Sequence, residues 1–454
     1  MLAFAIPAAG CGGTYEGPLE PKFQRFASRP DLQPPPVKID VSAKGAAPGY
    51  VFIAPKKEVK QKGPLIVDGR GHVVWFRPSR LGVADFRVQR YHGRPVLTWW
   101  QGHSKVGIGR GNYVILNTAY RRIALVRAGD GLAGDEHEFA ITPRGTALIT
   151  FYDQQGDVMD SGFQEIDIAT NRVRFEWHAL GRIALSESYS ERKENAPFDY
   201  FHINSVALGR DGNFLISARN THAVYDIDHR TGAVIWRLGG KQSDFEMGRG
   251  TTFAWQHDAQ WRGPTTISLF DDGARPAVEK QSRALLLHVD LRQLKVTLLH
   301  AYTHPKHLLS TSQGNMQVLP DGHVFVGWGS EPSFTEFARK GGVVLDGHFI
   351  KGADSYRSYK FVWHGDPKGP PAVAARTVGG RRVTVYASWN GATNVSRWQV
   401  LTGGTPADLK PVTTAEKTGF ETAIELRTRA KFFAVRALSA SNAPGTRSRV
   451  VRAS

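Results

Sequence analysis

Short apolar segments, separated by turns rich in Asp and Gly, recur along most of the chain. The repeating unit is a strand, a turn that contains Asp, Gly or Thr-Gly, and a second strand that ends in an aromatic residue. Its clearest copy has the turn Thr231-Gly232 and ends at Trp236. Two apolar runs joined by such a turn are typical of a β-hairpin. Six copies occur, at residues 65–76, 113–126, 165–177, 225–236, 287–299 and 342–363.

A second kind of hairpin lies between successive copies. It is clearest after His202, where an apolar strand, the turn Asp211-Gly212 and another apolar strand follow one another. Two hairpins per repeat make a four-stranded meander, and a period of roughly 50 to 60 residues fits a propeller blade better than a helical solenoid. Helical periodicity is almost absent. We therefore predict an all-β protein in which residues 37–369 form a six-bladed β-propeller.

The last part of the chain has a different pattern. After a Pro- and Gly-rich stretch at 368–371, apolar and polar residues alternate with a period of two, as in the strands near Trp389 and Trp398. The early Trp and an aromatic-rich late strand make residues 370–454 similar to a fibronectin type III domain, which is a small β-sandwich. Because it has no polar cluster that suggests chemistry, we interpret it as a spacer or adhesion module.

The only cysteine, Cys11, ends a short apolar run near the N-terminus. The segment Ala8-Ala9-Gly10-Cys11 resembles the lipidation site of a bacterial lipoprotein signal, although the usual basic residues before it are missing. We predict that residues 1–36 are a truncated lipoprotein-type signal and a tether, that Cys11 is lipidated and anchors the protein to a membrane, and that the protein is exported to the cell envelope or beyond it. A disordered N-terminus with an incidental cysteine is the alternative.

The chain is basic, with 58 Lys and Arg residues against 41 Asp and Glu residues and a net charge of +17. Such a charge suits nucleic acid, an anionic surface or an anionic small substrate. The basic residues are scattered, and no zinc-finger or RNP-like motif is present. We therefore expect no nucleic-acid partner.

Polar residues occupy one position of the second hairpin in four successive repeats: His137, His202, His257 and Asn315. In a propeller the first strand of each blade lines the central channel, so these side chains should converge at one mouth of the channel. A structural role, in which each side chain bonds a neighbouring blade, is one interpretation.

Two functional interpretations compete with the structural one. Three imidazoles with Glu138 or Asp258 would suit zinc, but no close pair such as His-x-His is present, so we predict no metal site. Imidazoles with an arginine, either Arg275 or Arg283, would instead bind the oxygens of a sulfate or phosphate group.

Five segments near these positions follow one another in order: Asp199-x-x-His202-x-Asn204-Ser205, Trp255-Gln256-His257-Asp258-Ala259, Leu269-Phe270-Asp271-Asp272-Gly273, Ser282-Arg283 and Gly327-Trp328-Gly329-Ser330. This ordered set resembles the bacterial arylsulfate sulfotransferase family. The resemblance implies a six-bladed propeller that moves a sulfuryl group from a phenolic sulfate ester to a phenol through a transiently sulfated histidine, with no nucleotide cofactor.

Carried over by position, the resemblance implies that His202, His257 and Arg275 are catalytic, with Arg283 as an alternative to Arg275. We expect the substrate to be bound by His137, Asn204, Arg283 and Asn315. The expected partners are an aromatic sulfate ester as donor and a phenol as acceptor, and no cofactor is expected.

One segment departs from the family. The nucleophilic histidine belongs in a Gly-Ser segment of a late blade, but residues 329–334 contain no histidine. His304 or His307 is a possible substitute, although a loop role suits both. A non-catalytic binding or adhesion propeller of the cell envelope is therefore the main alternative function. A quinoprotein is a third, because Asp228-x-x-Thr231-Gly232-x-x-x-Trp236 is similar to a motif of quinone-cofactor propellers.

Overall fold

The computed structural model describes residues 22–42, 44–209 and 211–454, and it is almost entirely β-structure. Within these residues the strands form seven sheets, in which neighbouring strands are antiparallel apart from two short parallel pairs. The 3-10 turn η1 (Leu185–Glu187) is the only helical segment in the described residues. The prediction of an all-β protein is confirmed. Cys11 lies outside the described residues.

The strand bounds follow the predicted hairpins except at residues 342–363. The first strands are β1 (Val37–Ser42), β2 (Tyr50–Ile53), β3 (Leu65–Val67), β4 (Val73–Phe76), β5 (Gly82–Tyr91), β6 (Arg94–Lys105), β7 (Ile108–Leu116), β8 (Arg122–Val126), β9 (Gly134–Ile141), β10 (Thr146–Gln155), β11 (Val158–Asp167), β12 (Val173–His178) and β13 (Phe198–Asp199). They continue with β14 (Ile203–Leu208), β15 (Phe214–Ala218), β16 (Ala223–Ile227), β17 (Val234–Gly239), β18 (Glu246–Met247), β19 (His257–Trp261), β20 (Thr266–Asp271), β21 (Arg283–Asp290), β22 (Lys295–Tyr302), β23 (Asn315–Val318), β24 (Val324–Gly327), β25 (Ser333–Phe337), β26 (Val343–Phe349) and β27 (Tyr359–Phe361).

These strands form consecutive four-stranded meanders, namely β5–β8, β9–β12, β14–β17, β19–β22 and β23–β26. The first two are joined into one sheet through a backbone pairing of Gly111 with Gly134. A further four-stranded sheet has the order β27-β2-β3-β4, and β1 extends the last meander by pairing with β26. Strands from the two ends of this region therefore complete each other's sheets.

The prediction of a hairpin at residues 342–363 was wrong. Strand β26 pairs with β25 and β1, whereas β27 pairs with β2. Between β26 and β27 the chain runs through the buried segment 353–358, which leads to the centre of the molecule. A continuous hairpin would have required these residues to form an exposed turn.

The Asp-x-x-Thr-Gly segment stabilises a turn. The Asp228 carboxylate accepts hydrogen bonds from the backbone N–H groups of Arg230 and Thr231 and from the Thr231 hydroxyl at 2.7 to 2.9 Å. Gly232 has φ +71°, a conformation that favours glycine. The similarity to a quinoprotein motif is therefore explained by the hairpin between β16 and β17.

The C-terminal strands are β28 (Ala372–Gly379), β29 (Arg382–Ser388), β30 (Arg397–Gly403), β31 (Lys410–Glu416), β32 (Glu421–Arg427), β33 (Phe432–Leu438), β34 (Pro444–Arg447) and β35 (Val451–Arg452). They form a three-stranded and a five-stranded sheet around a separate apolar core that includes Trp398. Polar contacts join them to the preceding sheets, as where Tyr120 donates a hydrogen bond to the Gly391 carbonyl at 2.8 Å. None of the described residues belongs to a helix long and apolar enough to cross a membrane.

Candidate functional site

Histidines and tyrosines from several meanders meet at the centre of the molecule. The ring centroids of His137 and His202 are 5.0 Å apart, and Tyr152 lies 5.3 Å from His202. Tyr356, just before β27, lies 5.5 Å from His137 and 6.5 Å from His257. We call these five residues the histidine cluster. The structure therefore brings together the three histidines that the sequence predicted.

Each histidine has an aspartate at its Nδ1 atom. Nδ1 of His202 lies 2.5 Å from Asp199, and Nδ1 of His257 lies 2.7 Å from Asp272. Nδ1 of His137 contacts Asp135 in the same way. A carboxylate at Nδ1 favours a proton on that nitrogen, which leaves Nε2 as the acceptor or nucleophile of the neutral ring.

The Nε2 atom of His257 is occupied. It accepts a hydrogen bond from the backbone N–H of Gln313 at 3.2 Å. Burial, reinforced by the positive charge of Arg219, holds the pKa of His257 well below its usual value, so this ring is neutral near pH 7. Both of its nitrogens are therefore engaged, Nδ1 with Asp272 and Nε2 with the loop before β23.

The Nε2 atoms of His137 and His202 have no hydrogen-bond partner among the described residues. Burial opposes the charged form of His137, but the Asp135 carboxylate outweighs burial and raises the pKa of His137. The side chain of His202 is the more accessible of the two, with 12% exposed against 5% for His137. These two rings are the members of the cluster that could contact a ligand through Nε2.

Arg219 is the functional candidate that the sequence prediction missed. Its guanidinium stacks over Trp255 at 4.6 Å and donates to the Asn220 side chain at 3.0 Å and to the Thr311 carbonyl at 3.3 Å. No carboxylate of a described residue lies within ion-pair distance of it. Burial lowers its pKa, while the charges of Asp272 and Asp199 act in the opposite direction. Among the described residues, the site thus contains a partly buried cation without a direct counter-ion.

The register of one hairpin explains the position of Arg219. Ile203 pairs with Ala218 across β14 and β15, and the Arg219 N–H donates to the His202 carbonyl at 2.9 Å. Counting back from the Asp211-Gly212 turn would have placed Arg219 opposite Ile203, one residue from His202, because the register of this hairpin shifts by one residue between Ile203 and Ser205.

The two predicted asparagines make contacts between neighbouring sheets. The Asn204 side chain donates to the Gln256 carbonyl at 2.6 Å. The Asn315 side chain donates to the Ser358 carbonyl and accepts from the Ser358 N–H, both at 2.9 Å. The structure does not bring either amide into contact with the three imidazoles.

The two predicted arginines lie away from the cluster. Arg283 is bound to Asp271 at 2.5 Å and to Glu279 at 3.1 Å. Arg275 is exposed, and its side chain makes no hydrogen bond or ion pair with any residue that the structure describes. Neither arginine contacts an imidazole of the cluster.

A layer of charged residues lies next to the cluster, because Glu138 and Asp258 directly follow His137 and His257. The fully buried Arg357 binds Glu138 at 3.1 Å and lies 3.6 Å from Asp258. The carboxylates that could have joined the imidazoles around a metal ion therefore bind an arginine. Within the described ranges, no group of three or more His, Cys, Asp or Glu side chains is arranged to hold a metal ion.

His304 and His307 do not lie in the cluster. His304 is buried, with Nε2 3.1 Å from Asp346 and Nδ1 accepting from the Lys306 N–H at 3.0 Å. The exposed His307 contacts Gln281 at 2.8 Å. In the late Gly-Ser segment, the Ser330 hydroxyl accepts from the Thr311 N–H at 2.9 Å. These contacts give both histidines structural partners.

Comparison with known proteins identifies a family. The profile of the family described as arylsulfotransferase (ASST) matches residues 87–350, which is more than half of the chain. No curated protein matches the sequence. Among solved structures, a protein of unknown function from Bacteroides caccae is similar with a TM-score of 0.45 and 11% identity over 69% of this chain and 99% of that chain. A catalytically inactive virginiamycin B lyase from Staphylococcus aureus has a TM-score of 0.37 and 11% identity over 79% and 92% of the two chains.

Proposed function

Because the chain belongs to the arylsulfotransferase family, we propose that it transfers a sulfuryl group from a phenolic sulfate ester to a phenol at the histidine cluster. The observation that carries this proposal is the pair of aspartate-bound imidazoles, His137 and His202, whose Nε2 atoms have no partner among the described residues. The backbone N–H of Arg219 donates to the His202 carbonyl, and its guanidinium is a partly buried cation that has no ion-pair partner among those residues. Sulfuryl transfer resembles phosphoryl transfer in that cationic donors and a positioned nucleophile supply most of the catalysis.

We assign the nucleophile to His202. Its Nε2 atom would attack sulfur, forming an N–S bond while the S–O bond to the phenolate breaks. The Nδ1–H···Asp199 hydrogen bond would stabilise the positive charge that the sulfated ring acquires. This assignment supplies the histidine that the late Gly-Ser segment lacks.

His137 is suited to proton transfer, since its pKa is raised and its Nε2 can carry a proton. It would protonate the departing phenolate and later remove the proton of the acceptor phenol, whose oxygen attacks sulfur as the N–S bond breaks. Arg219 would bind the sulfuryl oxygens in both steps. In the second step His137 regains the proton that it gave to the phenolate, and Nε2 of His202 regains the electron pair that it gave to sulfur.

We also propose the arrangement of the domains and the location of the protein. The six four-stranded units between residues 37 and 369 support a six-bladed propeller, and the two sheets at 370–454 support a fibronectin-like β-sandwich. The sequence near Cys11 supports export with a lipid anchor.

The test is turnover of p-nitrophenyl sulfate and 4-methylumbelliferyl sulfate, with and without phenol, by the wild type and by His202→Ala. We expect the wild type to release p-nitrophenol or 4-methylumbelliferone in a reaction that depends on the phenol acceptor, and we expect His202→Ala to lose this release. When the acceptor is omitted, intact-mass spectra of the wild type should show a sulfated protein. Unchanged turnover in His202→Ala would remove the nucleophile assignment. No release from any donor would favour the non-catalytic binding propeller.

A further inference from the structure

A basic cleft lies between two loops on one side of the molecule. Residues 56–62, which follow β2, contain four lysines in seven residues. Together with residues 78–80, which follow β4, they enclose a cleft of about 540 Å³. The charged side chains that line it are Lys57, Glu58, Lys60, Lys62 and Arg80. Four cationic side chains and one anionic side chain therefore line the cleft.

Most of these cations are not neutralised by the protein. Lys57 lies 2.5 Å from Asp354, but its side chain remains 64% exposed. Lys60, Lys62 and Arg80 make no ion pair with any carboxylate of the described residues. The cleft thus keeps a positive potential that an anionic ligand would relieve.

The walls of the cleft are held by two hydrogen bonds and one close backbone contact. The Ser79 N–H donates to the Lys62 carbonyl at 2.9 Å, and the Gln61 side chain donates to the Asp31 carbonyl at 2.9 Å. At Gly63, a Cβ atom would lie 2.1 Å from the Arg77 carbonyl oxygen, so the two loops touch there. The cleft is a preformed feature.

The cleft is connected to the candidate site. Lys56 Nζ lies 3.6 Å from Glu136, the neighbour of His137, and the Ala54 N–H donates to Ser355, the neighbour of Tyr356, at 3.1 Å. The loop that supplies three of the cations therefore starts beside the histidine cluster and leads away from it.

We propose that this cleft binds a sulfated polysaccharide. The cations come from both walls of an open cleft, which suits a chain with repeated negative charges better than a single small anion. Among the described residues, no aromatic side chain lines the cleft for stacking with nucleotide bases. Its apolar lining is limited to Val59 and Pro78, which gives an acyl-chain surface little to bind. The proposal does not depend on the proposed sulfuryl transfer.

The test is binding of fluorescently labelled dextran sulfate to the full-length protein. We compare the triple variant Lys60→Glu, Lys62→Glu, Arg80→Glu with a control of equal charge change, Lys410→Glu, Arg429→Glu, Arg449→Glu, in which the replaced residues are exposed cations between residues 370 and 454. We expect the cleft variant to bind at least about tenfold more weakly than the control, and binding of both the wild type and the control to weaken with added salt.

Thermal unfolding of each variant checks that it is folded. If the wild type turns over p-nitrophenyl sulfate, the cleft variant should do so as well. Equal weakening in both variants would overturn the proposal, because net charge alone would then explain binding. Binding of neutral dextran as tight as that of dextran sulfate would also overturn it. So would cleft-dependent binding of anionic phospholipid vesicles or single-stranded DNA that is tighter than that of dextran sulfate.

Discussion

Arg219 adjoins the histidine cluster through its hydrogen bond to the His202 carbonyl, whereas Arg283 lies away from the cluster, and the surroundings of the two guanidinium groups also differ. Arg283 begins β21 and is held by Asp271 and Glu279. Arg219 is held by an aromatic ring, an amide and a carbonyl, none of which neutralises its charge. A partly buried guanidinium of this kind gains more from an anionic ligand than one that already has a carboxylate partner.

We predict that Arg219→Gln lowers kcat/KM for aryl sulfates by about a hundredfold, because a charged donor to the sulfuryl oxygens is lost. Steady-state turnover of p-nitrophenyl sulfate checks this. Arg283→Gln is the matched control and should stay close to the wild type in activity.

Arg275→Gln distinguishes Arg219 from the arginine that the family resemblance implies. A loss of turnover in Arg275→Gln, with Arg219→Gln unaffected, would show that the exposed Arg275 is the arginine that binds the sulfuryl group.

The hairpin of β6 and β7 supports the cluster from one side. A Cβ atom at Gly107, at its tip, would lie 4.0 Å from the His202 ring. The Gly109 N–H donates to Asp135, the partner of His137, at 2.6 Å. A Cβ atom at Gly109 would lie 2.7 Å from the backbone nitrogen of Glu136. The hairpin therefore needs glycine where it approaches β9.

We expect Gly109→Ala to lower the free energy of unfolding by about 1–3 kcal/mol, since the crowded hairpin must move. It should also reduce turnover, because that movement weakens the hydrogen bond to Asp135. Urea unfolding and the aryl sulfate assay measure the two effects.

Gly69→Ala is the control, because no atom lies within 4 Å of a Cβ there. Both changes restrict the unfolded chain equally, so the comparison isolates the contact. Equal stability of the two variants would contradict the role of this hairpin.

Elements with local signals were predictable from the sequence. Alternating apolar residues and Asp-Gly or Thr-Gly turns gave the hairpins and the recurring position of the three histidines. The pairing of β26 with β1 and of β27 with β2 was not predicted, since it joins residues about 300 apart and no local pattern encodes it. Asp272, the partner of His257, was missed as a site residue because the register of its hairpin shifts between His257 and Gln260, and the turn residues do not mark that shift.

For the molecule as a whole, acid stability depends on buried groups that keep one protonation state. The His222 ring stacks on Tyr189 at 4.1 Å and meets the edge of Trp255 at 4.2 Å. Burial, together with the charges of Arg219 and Lys241, lowers its pKa to about 3. Between the ordinary histidine pKa and this value, the unfolded chain binds a proton that the folded protein does not. The contribution of His222 to stability therefore falls as the pH falls.

We predict that His222→Phe, which keeps an aromatic ring, removes this pH dependence. Relative to the variant, the wild type should lose up to about 1.4 kcal/mol of unfolding free energy per pH unit below pH 6.5. Urea unfolding at pH 7 and pH 5 measures the difference. Parallel stability changes in the two proteins would show that His222 titrates normally in the fold.

The pairing of β1 with β26 and of β2 with β27 also constrains how the chain is made. The ribosome releases β1 and β2 roughly 300 residues before their partners, and during that interval both strands have open edges. Closing such a long loop is slow, and unpaired edges invite association with other chains. Biosynthesis of this protein therefore includes a period in which the early strands need protection, by a chaperone or by the remainder of the chain, until residue 361 has been added.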